Sequence, residues 1–315
     1  MCDMIKTTME LLLLSSNKST DLLSTTIPWN TTSVTESLAV MMHKERTVYK
    51  RCDYLNSTTL GLQDEGGVVL LDEEDRAKMV EWCYSVVDTC QLDREAVAMA
   101  MEMVDRFLSK KSSSKLAMDA LKDRMQFQLL TMTALYISNK ILNDMRMKTS
   151  PAGSTFFSII SRDHYNVEEI EAMECILLQE LSWYISAPRC VEMAHHILLL
   201  ISTHVTFDKT TWANILNEVE FQAEYVVRDY YFVTQRASTV AMAVILNTLD
   251  RFFNKNKNTS GEEDIVHNAV LSVMRSSELL EFESIDIILT TRAKLHSLLY
   301  GHSKNSVWWK GNKQR

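Results

Sequence analysis

The chain has 315 residues, which is long enough for two ordinary domains. Of these residues, 46% are hydrophobic and 23% are charged, a composition that excludes a chain disordered throughout. The formal net charge of −8 argues against a nucleic-acid partner, because phosphate contacts require clustered lysine and arginine. Seven glycines and three prolines are few for tight turns, which favours an all-α fold over a strand-rich one.

Cysteine use and hydropathy predict an intracellular protein in the nucleus, the cytoplasm or both. No C-x-x-C occurs, and Cys83, Cys90 and Cys175 fall on apolar faces of helical patterns, which favours reduced core residues over disulfides or zinc ligands. The run "LLLL" at 11–14 is too short for a signal peptide, and no uninterrupted apolar run could span a bilayer. We therefore expect no membrane partner.

The first part of the chain predicts a tail, a helix and a loop. Residues 1–34 are rich in serine and threonine without a sustained period, which predicts a mobile N-terminal tail. The region 35–71 predicts a helix to about residue 55 and then a polar loop. A strong helical pattern begins after the acidic run 72–75, which suits the positive end of a helix dipole. Six apolar residues share its inward face, namely Met79, Trp82, Cys83, Val86, Val87 and Cys90.

The next helix is encoded by "VAMAMEMVDRFLSKK", residues 97–111, with Asp93 as its predicted N-cap. Its predicted inward residues are Val97, Ala100, Met101, Val104 and Leu108. The polar segment "SKKSSSK" predicts a loop before a third helix over about 124–141. Asn166 and Glu169 form a capping box for a helix that ends near residue 180.

A second series of helices follows "ISAPRC", with Pro188 suited to a first helical turn. Ser260 and Glu263 predict another capping box. The basic tail 301–315 contains Trp308 and Trp309, which we expect to pack on the second series of helices, the alternative being that they anchor a partner. The chain thus predicts five helices followed by five. The helices of the second series are expected at about 188–204, 208–231, 235–253, 261–277 and 283–299.

The segment "DRAKMVEWCYSVVDTCQLDREAVAMAMEMVDRFLS", residues 75–109, resembles the first two helices of a cyclin box. "LLTMTALYISNK" is similar to the central helix of the box, "DHYNVEEIEAMECILLQELSWYISAP" to its fifth helix and exit, and residues 35–54 to the helix that precedes it. Downstream, "EFQAEYVVRDYYFVTQRASTVAMAVI" is similar to the centre of a second cyclin fold. The resemblance implies two tandem five-helix cyclin folds, at 72–186 and 187–300, after an N-terminal helix.

Five positions mark a cyclin box, and the matching residues are Arg76, Asp105, Leu129, Lys140 and Glu174. The resemblance implies that Arg76 reaches Asp105 and ties the first helix to the second, which accounts for a charged pair inside an apolar stretch. The alternative is a solvated aspartate at the helix end. We expect Arg106 to face solvent or to bind local carbonyls.

Lys140 and Glu174 are the predicted kinase-binding residues, because the matching pair in cyclins contacts a kinase at its αC helix and the preceding loop. The alternative is a surface salt bridge within the chain. Trp183 matches an aromatic position and is either an interface anchor or a cover for the core. The implied function is that of a regulatory subunit, not an enzyme, which binds and activates a cyclin-dependent protein kinase in the cell cycle. Its partner is the kinase catalytic subunit in a heterodimer, with no cofactor and no metal.

The sequence departs from many cell-cycle cyclins at the patch that docks arginine–x–leucine peptides. Its matching residues are Asp75, Lys78, Met79, Trp82 and Ser85. Asp75 and Lys78 replace apolar contacts, and Ser85 stands where an acid meets the peptide's arginine, so we expect weak or absent docking.

Two further features bear on partner choice and cyclin class. Leu142 and Asn143 replace an acidic pair that often follows the lysine in cyclins, which removes polar contacts near the kinase. "HKERTVY" and Trp183 favour a D-type, growth-phase cyclin.

Three other functions remain to be weighed. A cyclin-fold transcription factor that clamps DNA needs a basic face, which the isoelectric point of about 5.6 disfavours. A divergent cyclin-fold scaffold, or a transcription-related protein without kinase activation, stays open. An all-helical enzyme has no candidate site, and His195–His196 are expected to be surface polar residues rather than metal ligands.

Overall fold

The computed structural model describes residues 30–55, 71–146, 153–162, 164–255, 262–275 and 278–301. All regular structure in these ranges is helical, which confirms the predicted all-α fold. None of the helices described is long and apolar enough to cross a membrane. The helices are α1 (Thr31–Arg46), α2 (Glu73–Thr89), α3 (Glu95–Ser109), α4 (Lys115–Lys122), α5 (Arg124–Arg146), α6 (Ser154–Ile160), α7 (Val167–Glu180), α8 (Cys190–Ser202), α9 (Lys209–Arg228), α10 (Ala237–Lys255), α11 (Glu262–Arg275) and α12 (Ile285–Tyr300), with a 3₁₀ turn at Tyr230–Val233.

The chain divides into two compact units. The first unit consists of Lys44–Arg189 and Val226–Gln235, and the second of the described residues within Met1–His43, Cys190–Tyr225 and Arg236–Arg315. The division at Arg189 lies close to the predicted boundary at 187. The inclusion of 226–235 in the first unit has no counterpart in the sequence-based domain prediction.

The central element of the first unit is α5, which packs against α2, α3, α4, α6 and α7. Its middle is lined by side chains without solvent exposure, such as Leu130 and Leu135. The buried hydroxyls of Thr131 and Ser138 donate to the carbonyls of Phe127 and Ala134, at 2.9 Å in each case. Each hydroxyl is satisfied one turn back along its own helix, so polar residues cost little in this apolar position.

Helix α3 is buried on more than one face. The five predicted inward residues are all buried, but so are Met103, Asp105, Arg106 and Phe107. The segment after α1 covers the second face, where Ser109 Oγ accepts a hydrogen bond from the backbone N–H of Cys52 at 3.0 Å. A prediction of one inward face therefore underestimates the burial of this helix.

Helix α1 ends at Arg46, so the prediction of a helix to residue 55 is wrong. The reason is that side chains satisfy the backbone of the following segment in place of helical bonds. The N–H of Tyr54 donates to the Tyr230 hydroxyl at 2.9 Å, and its carbonyl accepts from Lys111 Nζ at 2.9 Å.

The helices α2 and α7 begin at polar residues whose side chains cap the first turn. The predicted capping box of Asn166 and Glu169 is present at α7, and Asp72 with Asp75 forms another at α2. At α3 the cap position is Arg94 rather than Asp93, although Asp93 Oδ1 still accepts from the N–H of Glu95 at 2.9 Å.

No helix was predicted between the loop "SKKSSSK" and the third predicted helix, but α4 begins at Lys115, the last residue of that segment. Ser114 caps this helix by accepting a hydrogen bond from the N–H of Ala117, and Ala117, Ala120 and Leu121 are buried. A short apolar face at helical spacing was sufficient to form the extra helix.

In the second unit α10 packs against α8 and α12, and α8 also packs against α11. Residues 240–245 of α10 are buried, as is Trp212 of α9. The five helices of the predicted second series are all present, each within about three residues of its expected bounds. Residues 1–29 of the predicted N-terminal tail lie outside the described residues, and the prediction is wrong at its end, because residues 31–34 belong to α1. Ser260 of the predicted capping box and the predicted contact of Trp308 and Trp309 also lie outside the described residues.

Candidate functional site

The charged pair in α3 is part of a buried network. Arg76 Nε and Nη2 donate to the two carboxylate oxygens of Asp105 at 2.9 and 2.8 Å, and the Tyr54 hydroxyl donates to the same carboxylate at 2.7 Å. Arg76 Nη1 also donates to the carbonyl of Val227 at 2.8 Å. Arg76 is 3% exposed and Asp105 2%, so the alternative of a solvated aspartate is wrong.

Burial and the neighbouring charges keep Arg76 protonated and Tyr54 neutral. Burial alone would lower the pKa of Arg76, but Asp105 and Tyr54 outweigh it and raise the pKa overall. Burial raises the pKa of Tyr54 well above its ordinary value, and Asp105 raises it further. Tyr54 therefore remains a hydrogen-bond donor, and the network joins α2 and α3 to the segment after α1.

Arg106 is buried, so the expectation of a solvent-facing side chain is wrong. It is 5% exposed, its Nε lies 2.7 Å from Glu102 Oε1, and its Nη2 donates to the carbonyl of Tyr184. Its guanidinium carbon lies 4.6 Å from the centre of the Tyr49 ring. The carbonyl it binds follows α7 rather than lying nearby in sequence, which no local pattern could indicate.

Lys140 and Glu174 come together on the surface of the first unit. Lys140 lies near the end of α5 and Glu174 in the middle of α7, and Lys140 Nζ donates to Glu174 Oε1 at 2.9 Å. The lysine side chain is 57% exposed and the glutamate 14%. The hydrogen bond to Glu174 raises the pKa of Lys140, and Nζ also lies 5.2 Å from the centre of the Tyr136 ring.

Trp183 lies on the turn that follows α7 and is 67% exposed, so it does not cover the core. Its backbone N–H donates to the carbonyl of Leu178 at 2.9 Å, which closes the end of the helix. Leu181, 4% exposed, takes the place in the core instead. Ser182 and Trp183 adopt φ of 51° and 62°, a conformation that side chains with a Cβ adopt at a cost of roughly 1–3 kcal/mol. Such strain is concentrated at functional sites of proteins.

The other predicted positions are placed as follows. Leu129 is 7% exposed and Leu142 3%, so both belong to the core of the first unit. Cys175 is exposed, which corrects its assignment to an apolar core face. The side chain of Asn143 lies outside the described residues.

The patch matched to peptide docking lies on α2. Asp75 accepts from Arg124 Nε at 3.1 Å, and Lys78 lies 2.8 Å from Glu74, so both charges already have partners. Met79 and Trp82 are partly exposed, and Ser85 is exposed. Reduced peptide docking at this patch stays a prediction.

The described part of the chain holds no cluster of three or more His, Cys, Asp and Glu side chains able to bind a metal. The expectation that His195 and His196 are surface polar residues is wrong. His196 is 4% exposed with Nδ1 2.8 Å from the Glu192 carbonyl, and the His195 side chain is 17% exposed with Nε2 3.7 Å from Glu220 Oε1. The two histidines belong to the packing of α8.

Burial, with a smaller effect of His196, lowers the pKa of His195 to about 4 from an ordinary value of 6.5. Because the unfolded chain then binds the proton more tightly, the stability that neutral His195 allows is lost as the pH falls below 6.5 towards 4. From pH 7.5 to pH 5 we expect the free energy of unfolding to fall by up to about 2 kcal/mol more in the wild type than in His195→Gln. Urea unfolding at both pH values measures this, and equal slopes for the two proteins would contradict it.

Several residues of the site could not be found in the sequence. Tyr54, Tyr230 and Tyr184 carry no motif and join the site through long-range contacts. The hydroxyl of Tyr230, for example, accepts from the N–H groups of Tyr54 and Leu55 and donates to Asp53 Oδ1 at 2.9 Å. The only sequence feature that could have identified these tyrosines is an aromatic residue next to charged residues, and this feature is too common to indicate a site.

Comparison with known proteins identifies a matching domain model and similar sequences. Residues 36–186 match the model of the cyclin N-terminal domain. The chain is 25% identical to Cyclin-O protein B of Xenopus laevis over 178 residues, which are 56% of this chain and 45% of that protein. It is 28% identical to the G2/mitotic-specific cyclin-B3 of Canis lupus familiaris over 174 residues, which are 55% of this chain and 11% of that protein.

A viral cyclin from herpesvirus saimiri has a similar fold, with a TM-score of 0.53, 13% sequence identity, and coverage of 84% of this chain and 99% of that chain. The sequence matches thus span less than half of each of the two relatives described. The predicted D-type class is not confirmed, because these relatives are O-type and B3 cyclins. The matched model, the relatives and the fold together support one conclusion: residues 36–186 of the chain are similar to a cyclin N-terminal domain.

Proposed function

We propose that the chain is a regulatory subunit that binds a cyclin-dependent serine/threonine kinase and shifts it to its active conformation in cell-cycle control. The observation that carries this proposal is the pair of exposed Lys140 and partly buried Glu174 on α5 and α7, with the outward Trp183 beyond the end of α7. The proposed complex is a heterodimer in the nucleus, the cytoplasm or both. It requires no cofactor, and all chemistry takes place on the kinase.

The pair suits recognition of a helix end. The last carbonyls of a helix and the first N–H groups of another segment lack partners within the helix. Lys140 can donate to such carbonyls, and Glu174 can accept from such N–H groups, without a matching side chain on the kinase. Because Glu174 orients Lys140 at 2.9 Å before binding, less side-chain entropy is lost in forming the complex.

Trp183 supplies the apolar part of the proposed interface. Large aromatic residues carry much of the binding energy of protein interfaces when they enter a pocket of the partner. In the free chain this side chain is 67% exposed and held by a strained turn, so its burial on binding is favourable.

Activation follows if the kinase's αC helix fits this surface better when rotated inward. A ligand shifts a conformational equilibrium only by its difference in affinity for the two states. With αC inward, the kinase glutamate pairs with the ATP-binding lysine and the activation loop opens.

A scaffold that binds without activating is the second candidate. It is favoured by Leu142 and Asn143, which stand where many cyclins carry an acidic pair after the lysine. The first experiment is therefore a reconstitution of the purified chain with monomeric cyclin-dependent kinases. Co-purification together with increased phosphate transfer to a peptide substrate supports the proposal. Co-purification without activation indicates the scaffold, and the absence of both contradicts the proposal.

A further inference from the structure

A cleft of about 470 Å³ in the first unit lies between the segment after α1, the end of α3 and the turn after α7. Four of its lining residues are cationic, and no acidic residue is among the described residues that line it. We name it the basic cleft. Its cations are Lys50, Arg51, Arg106 and Lys110.

This concentration of positive charge is unexpected in a chain of net charge −8. A cleft with one sign of charge and low-dielectric walls focuses the electric field and attracts ions of the opposite sign. Two carboxylates lie close to the cations of the cleft. Glu102 pairs with Arg106, and Glu180 Oε2 is 3.9 Å from Lys110 Nζ. Burial raises the pKa of Glu102 to about 7, so its carboxylate neutralises the cleft only in part near neutral pH.

The cations retain donors for a ligand. Arg51 Nη2 donates to the Gln235 carbonyl at 3.0 Å, and Lys110 donates to the carbonyl of Glu180. Each of these groups has further N–H donors. Lys50 is exposed at the edge of the cleft.

Arg106 forms a rigid base for the cleft. Its side chain is 5% exposed, its guanidinium stacks on the Tyr49 ring at 4.6 Å, and it donates to the Tyr184 carbonyl. Its Nε faces Glu102 at 2.7 Å without the alignment of a hydrogen bond. Because this Nε is buried against Glu102, Arg106 contributes positive charge at the base of the cleft rather than a free N–H donor.

We propose that the basic cleft binds a phosphoryl group carried by a protein segment, such as a phosphoserine. A dianionic phosphate with three acceptor oxygens matches several cations better than a single carboxylate, and arginine binds it through two parallel hydrogen bonds. The cleft volume exceeds that of a phosphate ion, which leaves room for the flanking residues of a peptide. The proposal rests on the charges and geometry of the cleft, whose lining includes Ser182 and Tyr184, the neighbours of Trp183.

The test is an NMR titration of the ¹⁵N-labelled full chain with the capped peptide Gly-Ala-X-Ala-Gly, where X is phosphoserine, serine or glutamate. Inorganic phosphate is titrated separately. We expect saturable shifts at residues 50–52 and 106–110 with phosphoserine, at least about tenfold weaker binding with glutamate and with inorganic phosphate, and none with serine. Lys50→Glu should weaken phosphoserine binding about tenfold and Arg51→Gln several-fold.

The matched control is Lys115→Glu, which makes the same charge change at an exposed residue outside the lining of the cleft. It should alter the affinity less than about twofold, because exposed charges at a distance are screened by salt. Equal weakening by Lys50→Glu and Lys115→Glu would overturn the proposal. So would equal binding of the glutamate peptide, or of inorganic phosphate, which would make the cleft a site for small anions only.

Discussion

Replacement of both Lys140 and Glu174 by alanine is expected to weaken kinase binding by roughly 30-fold or more, which corresponds to at least about 2 kcal/mol. In the complex these groups would face backbone groups of the kinase, and their removal would leave those groups unsatisfied within the interface. The fold should remain intact, because Lys140 is exposed and a salt bridge at the surface contributes about 1 kcal/mol to stability. Binding is measured by titration calorimetry, and the helical content by circular dichroism.

The control for this double variant is Lys78→Ala with Glu74→Ala. This pair has a similar separation, 2.8 Å, and side chains 63% and 74% exposed, but it lies on α2. It should leave kinase affinity unchanged within about twofold. If the Lys140 and Glu174 variant kept full affinity, or if it unfolded, the pair would have no interface role or a purely structural one.

Asp105→Ala is expected to lower the free energy of unfolding by about 3–5 kcal/mol, since it leaves the buried Arg76 guanidinium without its partner. Tyr54 loses the acceptor of its hydroxyl in the same variant. Urea unfolding at neutral pH measures this, with Lys78→Ala as the control, for which less than about 1 kcal/mol is expected.

Asp105→Asn separates charge from shape at this position. The amide keeps one acceptor oxygen but no negative charge, so it should restore little of the lost stability. Should Asp105→Ala cost no more than Lys78→Ala, the Arg76–Asp105 contact would not stabilise the first unit. The arrangement of α2 on α3 would then need another explanation.

The spacing of apolar residues and the capping residues were sufficient to predict most helices, because these features lie within the sequence of each helix. The periodic apolar face of α3 and the capping box of Asn166 and Glu169 needed no tertiary information. The segment 47–55 could not be predicted in this way, because its backbone bonds to Ser109, Tyr230 and Lys111 from distant parts of the chain. Nothing in the sequence of the segment indicates those partners.

The residues of the site could likewise be predicted only where their contacts do not depend on distant segments. The pairing of Arg76 with Asp105 was expected from the resemblance to cyclins, and from the residues alone it was no better supported than a solvated aspartate. The burial of Arg106 depends on Tyr49 and Tyr184, which approach it from two other segments. The exposure of Trp183 depends on a left-handed turn, and aromatic residues in such a sequence are more often assigned to the core.

The most direct measurement for the proposed function is photo-crosslinking from position 183. The full chain, with Trp183 replaced by a benzoyl-phenylalanine, is irradiated with a cyclin-dependent kinase that it activates, and the linked kinase peptide is identified by mass spectrometry. We expect a crosslink to the αC helix or its preceding loop, and none from the same replacement at Ile159, which is 64% exposed elsewhere on the first unit. A kinase that is activated but crosslinks from Ile159 and not from position 183 would contradict the proposed interface.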